Sequence, residues 1–132
     1  MGKIKYEPTN HPIWKYVLLE DYKVPLSGFW IDYEYEDDYM ELKDCVLTCK
    51  KGYAWNGLTC FPDFKRYMSA SLPHDVLLGE NSYKIPDIEY TKRTYKEIHK
   101  VFYQELLRNA SKLEAKILYW GVSLFHPLTL KF

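Results

Sequence analysis

The chain has 132 residues, with 18 basic and 18 acidic side chains, so its formal charge is zero. That length suits one domain, able to bury a core without a disulfide or a metal. Balanced charge argues against duplex nucleic acid as a partner, because such binding draws on many Lys and Arg contacts to phosphate. No apolar run approaches the ~20 residues of a membrane-spanning helix.

Hydrophobic residues make up 47% and charged residues 27%, which places the chain among globular domains and not disordered ones. The 13 Tyr and 4 Trp suit half-buried sheets and ligand pockets alike. Cys45, Cys49 and Cys60 cannot all pair, and the Cys45/Cys49 spacing is not that of a zinc knuckle, so they read as structural thiols in a reducing compartment. The opening Met1–Tyr6 runs into Glu7, Pro8 and Thr9 instead of an apolar leader. A cytoplasmic protein is expected.

In chain order, residues 14–24 predict a first strand that ends at Pro25. Phe29, Ile31, Tyr33 and Tyr35 alternate with Trp30, Asp32, Glu34 and Glu36, which predicts a strand with one aromatic face and one mostly acidic, solvated face. Asp37-Asp38 marks a turn, and residues 39–50 predict the hairpin partner.

The chain changes character near residue 60. Residues 64–78 carry apolar positions at helical spacing, interrupted by Pro73, so the helix either kinks there or begins near Ser71. Residues 79–90 read as a polar loop. Residues 91–109 form a clearer helix, with Tyr95, Ile98, His99, Phe102, Tyr103 and Leu106 on one stripe. Ser111-Lys112-Leu113-Glu114 is a capping box that starts a third helix, whose buried face is predicted to be Leu113, Ile117, Trp120, Gly121 and Leu124, ending at Pro127. The expected fold is α+β: one domain over residues 1–132, with a small antiparallel sheet in 1–60 and about three helices in 61–132.

Chemistry concentrates in one block. A turn-forming Trp55-Asn56-Gly57 precedes an apolar segment that ends in His74-Asp75. Helical neighbours point about 100° apart, so His74 and Asp75 suit divided labour better than joint chelation. His74 is the candidate base, and Asp75 the candidate cation ligand. A calcium-type ion wants several oxygens, which Asn56 and the surrounding loop can supply. Trp55, Asn56, Gly57, Thr59 and Asp63 are the candidate ligand-contacting residues. A catalytic histidine needs a partner on its other ring nitrogen, and His99 on the next helix is the candidate. The same residues have plain structural uses: a hydrogen-bonded pair, a satisfied core histidine, a turn anchor and a backbone angle suited to glycine.

Gly52-x-x-Trp55-Asn56-Gly57-x-Thr59, Pro62-Asp63-Phe64 and Ala70-Ser71-Leu72-x-His74-Asp75 together resemble a family of small proteins of tailed bacteriophages and prophages, classed as a domain of unknown function. Ile98–Phe102 and the aromatic-rich Tyr119–Phe125 extend the likeness over roughly residues 45–126. The block is also distantly similar to the His-Asp helix of phospholipase A2-type enzymes. That likeness implies His74 as base, Asp75 and the Asn56-Gly57 loop as cation ligands, and His99 in the place of an orienting Asp. Asn56 and Leu78 stand where those patterns have Asp and Tyr. The implied function is a phage-encoded hydrolase with a His-Asp site and a divalent cation, calcium or zinc. Its rivals are a non-catalytic binder of a small molecule, nucleotide signal or host factor, and a virion or assembly component.

Overall fold

A computed structural model describes residues 3–57, 64–79, 85–86 and 88–129, and all side chains among them except those of residues 122 and 124–129. Among the described residues, strands come first and three helices follow, an α+β architecture. β1 (Tyr6–Pro8), β2 (Tyr16–Leu18) and β7 (Ala54–Trp55) form one antiparallel sheet in the order β1-β2-β7. β3 (Tyr22–Pro25), β4 (Tyr35–Glu36), β5 (Met40–Lys43) and β6 (Val46–Cys49) form another, in the order β3-β6-β5-β4.

The register of the second sheet explains its buried face. Tyr22 pairs with Cys49, which pairs with Met40, while Val24 pairs with Leu47, which pairs with Leu42. Alternation along each strand puts all six on one face, and all six are buried. The β5–β6 hairpin turns on Asp44 and Cys45, both with positive φ (52° and 60°). Tight hairpins favour that geometry because its twist matches the strands. The Cys45 thiol donates to the Ser27 carbonyl at 2.9 Å, which holds a residue that would not choose the left-handed region unaided.

Three strand expectations need correction. Residues 14–24 split into β2 and β3, because the bend between them sends the chain from one sheet to the other. Residues 29–36 are not one strand: Gly28–Trp30 is a 3-10 helix that turns Trp30 inward, and only Tyr35–Glu36 pairs. Residues 39–50 hold two strands: Met40–Lys43 is the expected antiparallel partner of Tyr35–Glu36 across Asp37-Asp38, and Val46–Cys49 turns back to form a second hairpin with it. The solvated character of Asp32, Glu34 and Glu36 holds, since all three are exposed.

α1 (Lys65–Leu78) runs unbroken through Pro73 and ends at Gly79, whose φ of 72° suits glycine at a helix C-terminus. Eleven of its residues are buried. Met68, Leu72, Val76 and Leu77 join the sheet's core, while Tyr67 and Ala70 join a second cluster against the other helices. A helix covered on several sides shows little amphipathic contrast. α2 (Lys92–Asn109) is capped by Thr91, whose side chain accepts from the Thr94 amide.

α3 (Lys112–Thr129) begins with the expected capping box: Glu114 N–H donates to Ser111 Oγ at 3.1 Å, and Ser111 N–H to Glu114 Oε1 at 3.2 Å. Its backbone continues past Pro127 to Thr129, where an end was expected. Its predicted inner face is largely reversed. Ala115, Leu118 and Gly121 are buried, whereas Leu113, Ile117 and Trp120 are exposed. Leu124 lies outside the described side chains. Both faces are apolar in sequence, and the face bearing small Ala115 and Gly121 is the one turned inward.

Candidate functional site

α1 and α2 pack side by side and carry His74 and His99 into one place. His74 Nε2 and His99 Nδ1 are 3.0 Å apart, and the rings stack with centroids 5.1 Å apart. Phe102, one turn after His99, lies with its ring centroid 5.2 Å from that of His74. The helical stripe of α2 that buries Ile98 and Phe102 also buries His99. Both imidazoles are under a tenth exposed.

Asp75 stands on the other side of His74, with Oδ1 3.7 Å from Nδ1. That separation is ion-pair range and longer than a hydrogen bond. Asp75 remains partly exposed, with 19% of its side chain accessible. Burial pushes the His74 pKa down from 6.5 to about 4, and pushes the Asp75 carboxyl up from 3.8 to about 8. Near neutrality both groups therefore favour their uncharged forms.

The 3.0 Å contact needs one ring nitrogen to donate an N–H and the other to accept it. If His74 donates from Nε2, its Nδ1 lone pair faces a protonated Asp75. If His99 donates from Nδ1, His74 turns an N–H toward Asp75. The two arrangements are tautomers of His74, with its single N–H on Nε2 in the first and on Nδ1 in the second. A desolvated acid beside a desolvated base is the setting in which proton transfer is cheap.

The loop residues do different work. Trp55 is fully buried, and its Nε1–H donates to Ser71 Oγ at 3.0 Å. Ser71 in turn donates to the Met68 carbonyl at 3.1 Å, so Trp55 bolts β7 to α1 one turn before His74. Asn56 Oδ1 accepts from the Lys15 backbone amide at 3.0 Å, which ties the loop to the segment before β2. Gly57 has φ of 75°, an angle that carries a penalty for residues with a Cβ. Thr59, Cys60 and Asp63 lie outside the described residues. Among the described residues, no three His, Cys, Asp or Glu side chains form a metal-binding group.

Glu105 belongs to none of the motifs singled out in the sequence. It is buried at 1% exposure and bonded on both sides: Tyr22 O–H donates to Oε1 at 3.0 Å, and Arg108 to Oε2 at 2.8 Å. Its place seven residues after Ile98 on the inner stripe, with an Arg three residues on, was the available signal. Phe102 was expected on this stripe, but its packing on His74 was not foreseen.

Comparison of the chain with protein-family models, curated proteins and solved structures finds no match. Among the described residues no helix is long and apolar enough to cross a membrane.

Proposed function

We propose that the protein is a small hydrolase that acts on an ester or phosphoester of a small-molecule or host-derived ligand, in the cytoplasm of a phage-infected bacterium. The observation that carries the reading is the 3.0 Å contact between His74 and His99, with Asp75 on the opposite edge of His74. His74 is the base. Its lowered pKa keeps it unprotonated at neutral pH, ready to accept a proton from water. His99 positions the ring and fixes its tautomer. Asp75, uncharged when protonated and partly exposed, returns a proton to the leaving oxygen. In this reading the ligand is met by the loop of Trp55, Asn56 and Gly57, with Thr59 and Asp63, and the buried Trp55 anchors that loop from inside.

In the metal form of the reading Asp75 is deprotonated instead of acting as the acid and, with Asn56, holds a divalent cation, calcium or zinc. Among the described residues these two lack a third carboxylate, imidazole or thiol to complete a set, so no step is routed through the ion. Calorimetry with calcium, zinc and manganese on wild type and Asp75→Ala tests it, and equal or absent binding in both rejects it.

Turnover of chromogenic carboxylic esters and phosphodiesters is the direct test. The expected result is hydrolysis by the wild type, reduced about 100-fold or more in His74→Gln, in line with general base catalysis. A wild type inactive on every bond type, or a His74→Gln variant with full activity, overturns the proposal.

A second reading has its own observation. Both rings are buried and Phe102 packs on His74, as a polar tie between two helices also requires. The protein is then a non-catalytic binder of a small molecule, nucleotide signal or host factor. Large thermal stabilisation by such a ligand without turnover favours it.

A further inference from the structure

Away from the His74 site, the first sheet and the helices enclose an open groove of about 1330 Å³. Pockets for small ligands usually fall between about 300 and 1000 Å³, so there is room for more than one ring. Its walls carry five cations: Lys3, Lys5, Lys65, Arg66 and Arg108. Among the described residues no carboxylate lines it. In a chain of zero net charge, that is a local concentration of one sign.

Not all of this charge is available to a ligand. Lys5 pairs with Glu20 at 3.3 Å, Arg66 with Glu114 at 2.6 Å and Arg108 with Glu105 at 2.8 Å. None of those three carboxylates is among the groove's lining residues. Among the described residues, Lys3 and Lys65 make no ion pair at all. Arg66 is also held in place, its guanidinium 4.5 Å from the Phe64 ring centroid and 4.9 Å from that of Tyr67. Lys65 and Arg66 begin α1, whose first turn contains no acid. Cations there oppose the helix dipole, an arrangement that a bound anion would relieve.

Aromatic surface stands in the same groove. Tyr6 and Tyr16 line it and remain partly exposed, while Ser69 and Asn109 add polar groups. Cations beside tyrosine rings are the combination that takes a phosphate together with a planar base.

We propose that this groove binds a phosphorylated nucleoside, either as a free nucleotide or as part of a single strand. The cations hold the phosphate and Tyr6 and Tyr16 receive the base. No residue of the groove belongs to the Asp75, His74, His99 line, so this inference does not rest on hydrolysis.

Calorimetry on the full chain with mononucleotides, the parent nucleosides, inorganic phosphate and short single-stranded oligonucleotides tests it. The expected result is nucleotide binding at least ten-fold tighter than nucleoside or phosphate alone, weakened by raised salt. The pair Lys3→Glu with Lys65→Glu lowers affinity at least ten-fold, while Lys92→Glu at the start of α2 does not. Binding of oligonucleotides but not mononucleotides assigns the same chemistry to a strand. If the double variant does not fold, Lys65→Gln and the wild-type salt dependence replace it. Unchanged binding in His74→Gln keeps the two sites distinct. The proposal fails if nothing binds, if phosphate alone binds as tightly as nucleotide, or if charge reversal in a folded variant leaves affinity unchanged.

Discussion

The Tyr22 hydroxyl donates to the Glu105 carboxylate at 3.0 Å, joining β3 to α2 across 83 residues of sequence. Arg108 holds the other carboxylate oxygen. A buried carboxylate is costly unless its oxygens are satisfied, and here both are. Burial still raises the Glu105 pKa, against the lowering effects of Tyr22 and Arg108.

Breaking that bond should therefore have unequal costs from its two ends. Tyr22→Phe leaves Glu105 paired with Arg108 and should lose about 1–2 kcal/mol of stability. Glu105→Ala removes the acceptor shared by the tyrosine hydroxyl and Arg108 and opens a cavity, and should lose about 2–4 kcal/mol. Urea unfolding of the two single variants and the double variant measures both losses. A coupling energy near zero would show that the bond contributes nothing.

The His74–Asp75 pair should leave a signature in stability against pH. His74 has a lowered folded pKa, so its contribution is present above 6.5 and is lost as pH falls toward about 4. Asp75 has a raised folded pKa, so its contribution is present below 3.8 and is lost as pH rises toward about 8. Between about pH 4 and 6.5 the two slopes oppose and cancel. From 6.5 to 8 only the Asp75 slope remains, and the pair should lose at most about 2 kcal/mol. Asp75→Asn should remove that fall and expose a rise between pH 4 and 6.5. Parallel wild-type and Asp75→Asn curves from chemical denaturation at each pH would refute the assignment.

The orientation of α3 can be tested by substitution on its two faces. Leu118→Ala should cost about 2–4 kcal/mol, because Leu118 is 3% exposed within the helix cluster. Leu113→Gln and Ile117→Gln should each change stability by less than about 0.5 kcal/mol, because both side chains are more than half exposed. Thermal or urea unfolding distinguishes this from the reversed face that apolar spacing suggests.

Much of the fold was legible along the chain. The change near residue 60 separated strands from helices, Ser111 and Glu114 marked the start of α3, and Thr91 opened α2. These signals are local, since a cap needs only residues within one turn. The strand pattern was less legible. Continuous aromatic alternation hid the turn at Gly28–Trp30 and the transfer of the chain between two sheets after Leu18. Glu105 carries no local signal of its bond to Tyr22, because that partner lies in the other half of the sequence.

The sequence by itself determined the α+β division and the starts of α2 and α3, because these depend on spacing and on contacts within a few residues. Only tertiary structure decided which face of α3 turns inward, how α1 carries Pro73 without breaking, and that His74 and His99 meet at 3.0 Å. Periodicity says which residues share a face. The packing of one helix against another decides which face is covered and which distant side chains touch.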